Sequence, residues 1–183
     1  LNTCKEVSKF RRELNMKEGW LARSFEAVLQ NNIKISVHIK RFLSLELDEI
    51  GAIHYQIKPI SGDATITFNP YLDASITNED TNWADQFWDV LKIDQNKKQS
   101  FIVAKTMKTN FHTCTFMQSK VFVDGTEVLI DAINTTSEKT ASSSYQQEIS
   151  KNQIFAIQKF GGYIVDRNHP KDALIEAAKD ALD

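Results

Sequence analysis

The chain has 183 residues, of which 42% are hydrophobic and 25% are charged, and this composition is typical of a globular protein with one sizeable domain. Its formal net charge of −2 argues against nucleic acid or an anionic membrane as a partner, because both attract a concentrated excess of Lys and Arg. The apolar runs are far shorter than the roughly 20 residues that cross a bilayer, so we expect no membrane contact.

The two cysteines, Cys4 and Cys114, are too far apart in the sequence to indicate a disulfide framework. Cys114 lies in an apolar, strand-like stretch, where a thiol is usually a small core residue. A reduced, cytoplasmic protein is therefore expected. The chain begins with Leu1 rather than Met, and we interpret it as a piece of a longer polypeptide.

The clearest structural signal is an alternation of apolar and polar residues with a period of two. Its apolar members are Ile33, Ile35, Val37, Ile39, Leu43, Leu45 and Leu47. This period predicts a long strand with one buried face. Arg41 falls on the apolar parity, where we expect a bulge, a bend or a paired arginine. The Asn31-Asn32 pair before the strand predicts a hairpin turn.

Further strands follow, which gives about nine strands with short turns and predicts a mainly antiparallel β-sandwich. They are predicted at residues 53–57, 64–69, 100–106, 111–117, 120–123, 127–133 and 153–165. The Asp124-Gly125 pair predicts another hairpin. A stretch rich in Ser, Thr and Gln at 134–150 is interpreted as a polar loop. The residues expected in the core are Ile35, Val37, Leu43, Leu45, Ile53, Tyr55, Ile66 and Phe68.

Two segments are predicted to be helical. Within 79–91, Trp83, Phe87 and Leu91 recur at helical spacing, which indicates a short helix or ordered loop inserted between strands. Within 170–182, a proline at the first helical position precedes an apolar face of Ala and Leu residues. The sequence thus predicts a β-sandwich with a short helical insert and a C-terminal helix.

The sequence contains no recognisable catalytic constellation. It has no glycine-rich phosphate loop, no nucleophile elbow and no metal-ligand spacing of His and Cys. Single acids such as Asp73 and Asp80 are interpreted as surface residues among the 24 acidic residues of the chain. We therefore assign no catalytic residue, no metal and no cofactor to this chain.

The unusual feature is an aromatic segment with two of the three tryptophans. Its candidate contact residues are Asn78, Trp83, Asp85, Phe87 and Trp88. Flat aromatics beside acids and amides stack on sugar rings, and they equally anchor a loop to its own domain or to a partner subunit. We favour packing or an interface over direct sugar contact. In a helix, Trp88 would lie about 100° around the axis from Phe87, so we expect Trp88 to point outward.

Four stretches, in order along the chain, resemble the N-terminal domain of glycoside hydrolase family 65. They are residues 10–25 (FRRELNMKEGWLARSF), 41–45 (RFLSL), 72–78 (LDASITN) and 87–91 (FWDVL). The last stretch is similar to the maltose phosphorylase branch of that family. No single stretch is a strict motif, and the resemblance rests on the ordered series.

The resemblance implies a β-sandwich of the supersandwich type, followed by a helical linker, a catalytic α/α barrel and a small C-terminal sheet. This chain contains none of the barrel, so no catalytic residue carries over. Earlier sandwich strands of the family are expected upstream, which makes this sandwich truncated at its N-terminus. Residues 1–168 are thus predicted to be a partial N-terminal β-sandwich, and 169–183 the start of the linker.

The implied function is a non-catalytic accessory role in a disaccharide phosphorylase or hydrolase. The parent enzyme would convert maltose and inorganic phosphate into β-glucose 1-phosphate and glucose, and the chain alone is expected to be inactive. Its expected partners are the parent's own barrel, a second subunit in a homodimer, and a disaccharide such as maltose. Two alternatives stay open: a free-standing carbohydrate-binding module that uses Trp83 and Trp88, and a structural sandwich of unrelated origin.

Overall fold

The computed structural model describes residues 3–77 and 86–183. Within them, thirteen strands and one helix follow one another along the chain. They are β1 (Glu6–Asn15), β2 (Trp20–Val28), β3 (Lys34–Leu43), β4 (Ile50–Pro59), β5 (Ala64–Phe68), β6 (Tyr71–Asp73), β7 (Trp88–Gln95), β8 (Gln99–Thr106), β9 (His112–Val123), β10 (Thr126–Val128), β11 (Ile133–Thr136), β12 (Thr140–Ile149), β13 (Phe155–Val165) and α1 (Leu174–Asp180). Strands dominate, and the predicted mainly antiparallel β-sandwich is confirmed.

The chain forms two compact units. The first comprises residues 1–68, 119–131 and 145–159, and the second comprises 69–118, 132–144 and 160–183. The long strands β9, β12 and β13 each contribute one half to either unit.

The first unit is built on the ladder β1-β2-β3-β4, which continues into β13 and β9. Its second sheet pairs β5 with β12. The two sheets meet through aromatic rings, since Phe68 on β5 lies 4.8 Å from Phe155 on β13 and 5.7 Å from Tyr55 on β4. A further cluster around Phe25 and Val37 fills the space beside β2 and β3.

The second unit places β9, β8 and β7 side by side and opposes them with β6, β11 and the first half of β12. The core between these sheets consists of Leu72, Ile102, Met117 and Ala141. Helix α1 contacts β8 and buries Leu174. Among the described residues, no helix is long and apolar enough to span a membrane.

Two predicted hairpins form where the sequence indicated them. Asn32 turns with a φ of 67° between β2 and β3, and Asp124 and Gly125 turn with φ values of 49° and 82° between β9 and β10. Asn, Asp and Gly are the residues that tolerate this left-handed conformation. Local residue preferences therefore predicted both connections, and contacts such as that of Asp124 with the backbone of Ile154 accompany them in the fold.

The helical insert predicted at 79–91 is wrong where the structure describes it. Trp88 to Leu91 belong to strand β7, whereas residues 78–85 lie outside the described residues. The register of β7 against β8 shifts between Val90 and Lys92, so one extra residue interrupts the period of two. The spacing of four residues between Phe87 and Leu91 fits one face of a strand as well as one face of a helix, so it could not distinguish the two.

Two other boundaries differ from the prediction. The C-terminal helix runs over Leu174–Asp180 rather than over 170–182, and turns precede it. The segment at 134–150 is not a loop, since it forms β11 and β12. Ala141, Ser143 and Tyr145 alternate as buried residues in β12, and their small or polar side chains concealed the strand pattern.

The predicted core is correct for Ile35, Val37, Ile66 and Phe68, and Tyr55 is partly buried. Leu43 and Leu45 are wrong, because their side chains are 79% and 99% exposed, and Ile53 is 38% exposed. Leu45 follows the end of β3 and lies in the connection to β4. Leu43 and Ile53 do lie on the parity of the core, but Phe68 of the second sheet packs near Tyr55 and leaves them uncovered.

Candidate functional site

Trp88 begins strand β7 and faces the core side of the second unit. It lies opposite Thr106 in the register, and two residues later Val90 packs against the core cluster of that unit. The ring of Trp88 meets the ring of Phe111 edge-to-face, with 6.4 Å between centroids. Trp88 is partly buried, and the outward orientation that helical geometry predicted is wrong because the residue is in a strand.

Phe87 precedes Trp88 and extends the ladder by one residue, since its carbonyl oxygen accepts a hydrogen bond of 2.9 Å from the amide of Met107. Successive side chains of an extended chain point to opposite faces. By this alternation we expect Phe87, rather than Trp88, to be directed away from the core side, and both side chains are partly buried.

A polar cluster forms beside Phe87. The amide nitrogen of Gln86 donates to the carbonyl oxygen of Ser75 at 3.4 Å, and the ammonium of Lys139 donates to the amide oxygen of Gln86. The backbone amide and the hydroxyl of Ser75 both donate to one carboxylate oxygen of Asp73, at 2.8 Å and 2.6 Å. These hydrogen bonds from Ser75 hold the pKa of the Asp73 carboxyl below its ordinary value.

This polar cluster was missed in the sequence because Lys139 lies 53 residues from Gln86. The pairing of β6 with β12 joins them, since it places Asp73 opposite Thr140. One local signal was present: Asp73 followed two residues later by Ser75 is a typical Asx turn. Chemically, the cluster offers an ammonium, an amide and a carboxylate, which are groups that hydrogen-bond to sugar hydroxyls.

Of the five candidate contact residues, Phe87 and Trp88 are described. Asn78, Trp83 and Asp85 lie outside the described residues. The roles proposed for all five stay predictions.

A second cluster joins the end of β13 to the start of β9. Nδ1 of His112 lies 3.5 Å from Oδ2 of Asp166, and the Lys171 ammonium lies 3.3 Å from the same oxygen. Burial raises the pKa of Asp166, but a hydrogen bond from the His112 backbone and the charge of Lys171 outweigh burial and lower the pKa. Lys171 also donates to the carbonyl oxygen of Asn110 at 2.8 Å. The cluster ties the approach to α1 onto β9, which is a structural role.

Neither cluster is arranged as a metal site. Among the residues that the structure describes, no group of three or more His, Cys, Asp and Glu side chains could hold a metal ion.

The sequence matches the profile of the Glycosyl hydrolase family 65, N-terminal domain, over residues 1–183. This chain belongs to glycosyl hydrolase family 65. It is 32% identical over 176 residues to a maltose phosphorylase of Bacillus subtilis (strain 168), and the aligned region covers 96% of this chain and 23% of that enzyme. It is 24% identical over 182 residues to an alpha,alpha-trehalose phosphorylase of Thermoanaerobacter brockii, and that aligned region covers 95% of this chain and 23% of that enzyme.

The fold of this family 65 domain also matches a solved structure. A candidate kojibiose phosphorylase from the human microbiome superposes with a TM-score of 0.81 at 22% identity, over 97% of this chain and 22% of that one. This likeness shows the fold. The chain spans under a quarter of the length of the relatives it matches.

Proposed function

We propose that this chain is the non-catalytic N-terminal accessory domain of a longer family 65 disaccharide phosphorylase. The observation that carries the proposal is the match of the N-terminal domain profile to all 183 residues, while this region makes up only 23% of relatives named as phosphorylases. In this proposal, catalysis belongs to the remainder of the longer polypeptide, and inorganic phosphate is its co-substrate.

The test compares the 183-residue chain with the longer protein that contains it. Each is incubated with maltose and phosphate, and glucose 1-phosphate and glucose are measured. We expect only the longer protein to release glucose 1-phosphate. When phosphate is omitted, we expect the longer protein to release no glucose. Release of glucose 1-phosphate by the short chain would contradict the accessory role, and phosphate-independent release of glucose by the longer protein would identify a hydrolase.

Maltose is the substrate that we favour, because the identity to the maltose phosphorylase is higher than the identity to the trehalose phosphorylase. The same assay with trehalose and kojibiose in place of maltose tests this preference. If kcat/KM is higher with trehalose or kojibiose than with maltose, that sugar is the preferred substrate and our preference for maltose is wrong.

A role in pairing two subunits of a cytoplasmic homodimer is a further part of the proposal. Its basis is the aromatic segment, where we expect Phe87 to be directed away from the core side of its strand. Sedimentation of the longer protein tests it: we expect a dimer for the parent sequence and a larger monomer fraction for the Phe87→Ala variant. Equal dimer fractions would remove Phe87 from the interface.

Direct binding of a sugar is the second candidate function, and the polar cluster of Asp73, Gln86 and Lys139 beside Phe87 favours it. Its test is a calorimetric or NMR titration of the chain with maltose. We expect the chain to bind maltose and the Lys139→Ala variant to lose this binding. The control is Lys108→Ala, whose lysine is exposed on another loop, and it should still bind maltose. An unchanged titration in Lys139→Ala would reject this cluster as the sugar site.

A further inference from the structure

The register of β1–β4 in the first unit sorts side chains into rows across the sheet. Residues directly opposite one another in antiparallel strands point to the same face. Moving from the core outward, three successive rows on one face are Phe25, Val37 and Ile57; then Arg12, Arg23, Ile39 and Tyr55; then Leu14, Leu21, Arg41 and Ile53. Leu43 continues the same parity beyond them.

Burial decreases steadily along this face. Val37 is 2% exposed, whereas Ile53 is 38%, Leu14 is 64% and Leu43 is 79% exposed. The cause is the short second sheet of this unit, in which Phe68 packs against Tyr55 and goes no further along the rows. We call the outer part of the face, formed by Arg12, Arg23, Leu14, Leu21, Arg41, Ile53 and Leu43, the uncovered face.

The uncovered face carries three arginines among its apolar residues. Arg12 lies directly opposite Arg23, and Arg41 lies opposite Leu21, two residues along β2 from Arg23. Like charges directly opposite in a sheet destabilise the pairing. Among the described residues, no carboxylate lies within 4.0 Å of any of these three guanidinium groups, although other cations of the same sheet do pair, such as Lys9 and Lys34 with Glu26.

This combination selects the chemistry of an occupant. Apolar side chains alone would suit any apolar surface, but three arginines between them, with no carboxylate partner among the described residues, favour an occupant that brings anionic groups to the same place. A second copy of the chain docked through the same face would bring these arginines against one another. Nucleic acid would satisfy the arginines and leave the leucines exposed, and the net charge of −2 does not favour it.

We propose that the uncovered face binds an acidic amphipathic polypeptide segment, in which Asp or Glu side chains alternate with apolar ones. The carboxylates pair with Arg12, Arg23 and Arg41, for which bidentate contact is the preferred geometry. The apolar side chains cover Leu14, Leu43 and Ile53. This interaction goes beyond the accessory role proposed above.

The test uses two dye-labelled peptides, one in which Leu alternates with Glu and one in which Lys replaces every Glu. Fluorescence anisotropy is measured with the unaltered chain, with the double variant Arg12→Glu and Arg23→Glu, and with a Lys108→Glu control in the second unit. We expect the unaltered chain and the control to prefer the acidic peptide, and the double variant to bind it about tenfold more weakly or worse and to prefer the basic peptide.

A second variant, Leu14→Ser with Leu43→Ser, keeps the test valid if charge reversal unfolds the chain, because both leucines are largely exposed. We expect it to weaken acidic-peptide binding without reversing the preference. Equal binding of the two peptides, binding of neither, or an equal loss in the Lys108→Glu control overturns the proposal. Tighter binding of a single-stranded oligonucleotide, or a dimer in sedimentation that the leucine variant dissociates, overturns it in favour of those occupants.

Discussion

The two cysteines differ in accessibility, and this difference determines their reactivity. Cys114 is 0% exposed in β9, and burial raises the pKa of its thiol to about 12. Cys4 is only partly buried. Since the thiolate is the reactive form, a buried thiol with a raised pKa reacts very slowly.

We therefore expect one thiol to react quickly with a disulfide reagent in the native protein and two to react in denaturant. The measurement is the absorbance of the released aromatic thiolate, and Cys4→Ser serves as the control that removes the fast phase. Two fast thiols in the native chain would show that β9 opens readily.

His54 makes the stability depend on pH. Burial, followed by the nearby charge of His38, lowers the pKa of His54 below its ordinary value of 6.5, and its Nδ1 atom is buried without a hydrogen-bond partner. Below pH 6.5 the unfolded chain thus binds more protons at this residue than the folded chain. The free energy of unfolding should rise with pH up to about 6.5 and level off above it.

Replacing His54 by Gln should flatten this rise, whereas His38→Gln should keep most of it, because burial is the larger cause. Urea unfolding curves at several pH values between about 5.5 and 7.5, one unit on either side of the ordinary pKa, provide the measurement. An unchanged slope in His54→Gln would assign the pH dependence to other groups.

At the scale of elements, the strand at Trp88 has an energetic consequence. Its partly buried ring packs on Phe111, so Trp88→Ala should destabilise the protein by roughly 1–3 kcal/mol, which is less than the roughly 3–5 kcal/mol for a fully buried aromatic. Thermal or urea unfolding measures the change. Phe87→Ala, whose side chain lies on the other side of the strand, is the matched control and should cost less. A larger loss of stability in Phe87→Ala than in Trp88→Ala would indicate that Trp88, not Phe87, points outward.

Strands β13 and β9 approach each other closely at Gly161. A Cβ atom at this position would lie 2.6 Å from the backbone carbonyl oxygen of Phe116, and a carbonyl of the ladder has little freedom to move. Gly161→Ala should therefore destabilise the protein by about 1–3 kcal/mol. Gly62→Ala, where nothing lies within 4 Å, is the control and should be nearly neutral. Equal unfolding midpoints for both variants would contradict the close approach.

At the scale of the whole molecule, the three strands that run through both units should make them unfold together. Trp20 belongs to the first unit and Trp88 to the second, so each reports on one unit. Trp→Phe replacements give one variant that keeps only Trp20 and another that keeps only Trp88. We expect the fluorescence transition of each variant to coincide with its circular dichroism transition. Two separate midpoints would show that β9, β12 and β13 do not transmit unfolding between the units.

The sequence by itself determined the local features of this protein. The alternation along β3 predicted the strand and the face that its residues occupy, and the turns at Asn32 and Gly125 were predictable from local backbone preferences. The ordered series of short stretches also indicated the family, which the profile match confirms.

Only the tertiary structure decided which parts of those faces are covered. Leu43 and Ile53 lie on the core parity as predicted, yet they are exposed because burial depends on the extent of a second sheet whose strands come from distant parts of the chain. The bulge in β7, the polar strand β12 and the contact of Gln86 with Lys139 likewise depend on partners far away in sequence. A residue pattern specifies the direction in which a side chain points, whereas the packing of separate segments determines what that side chain meets.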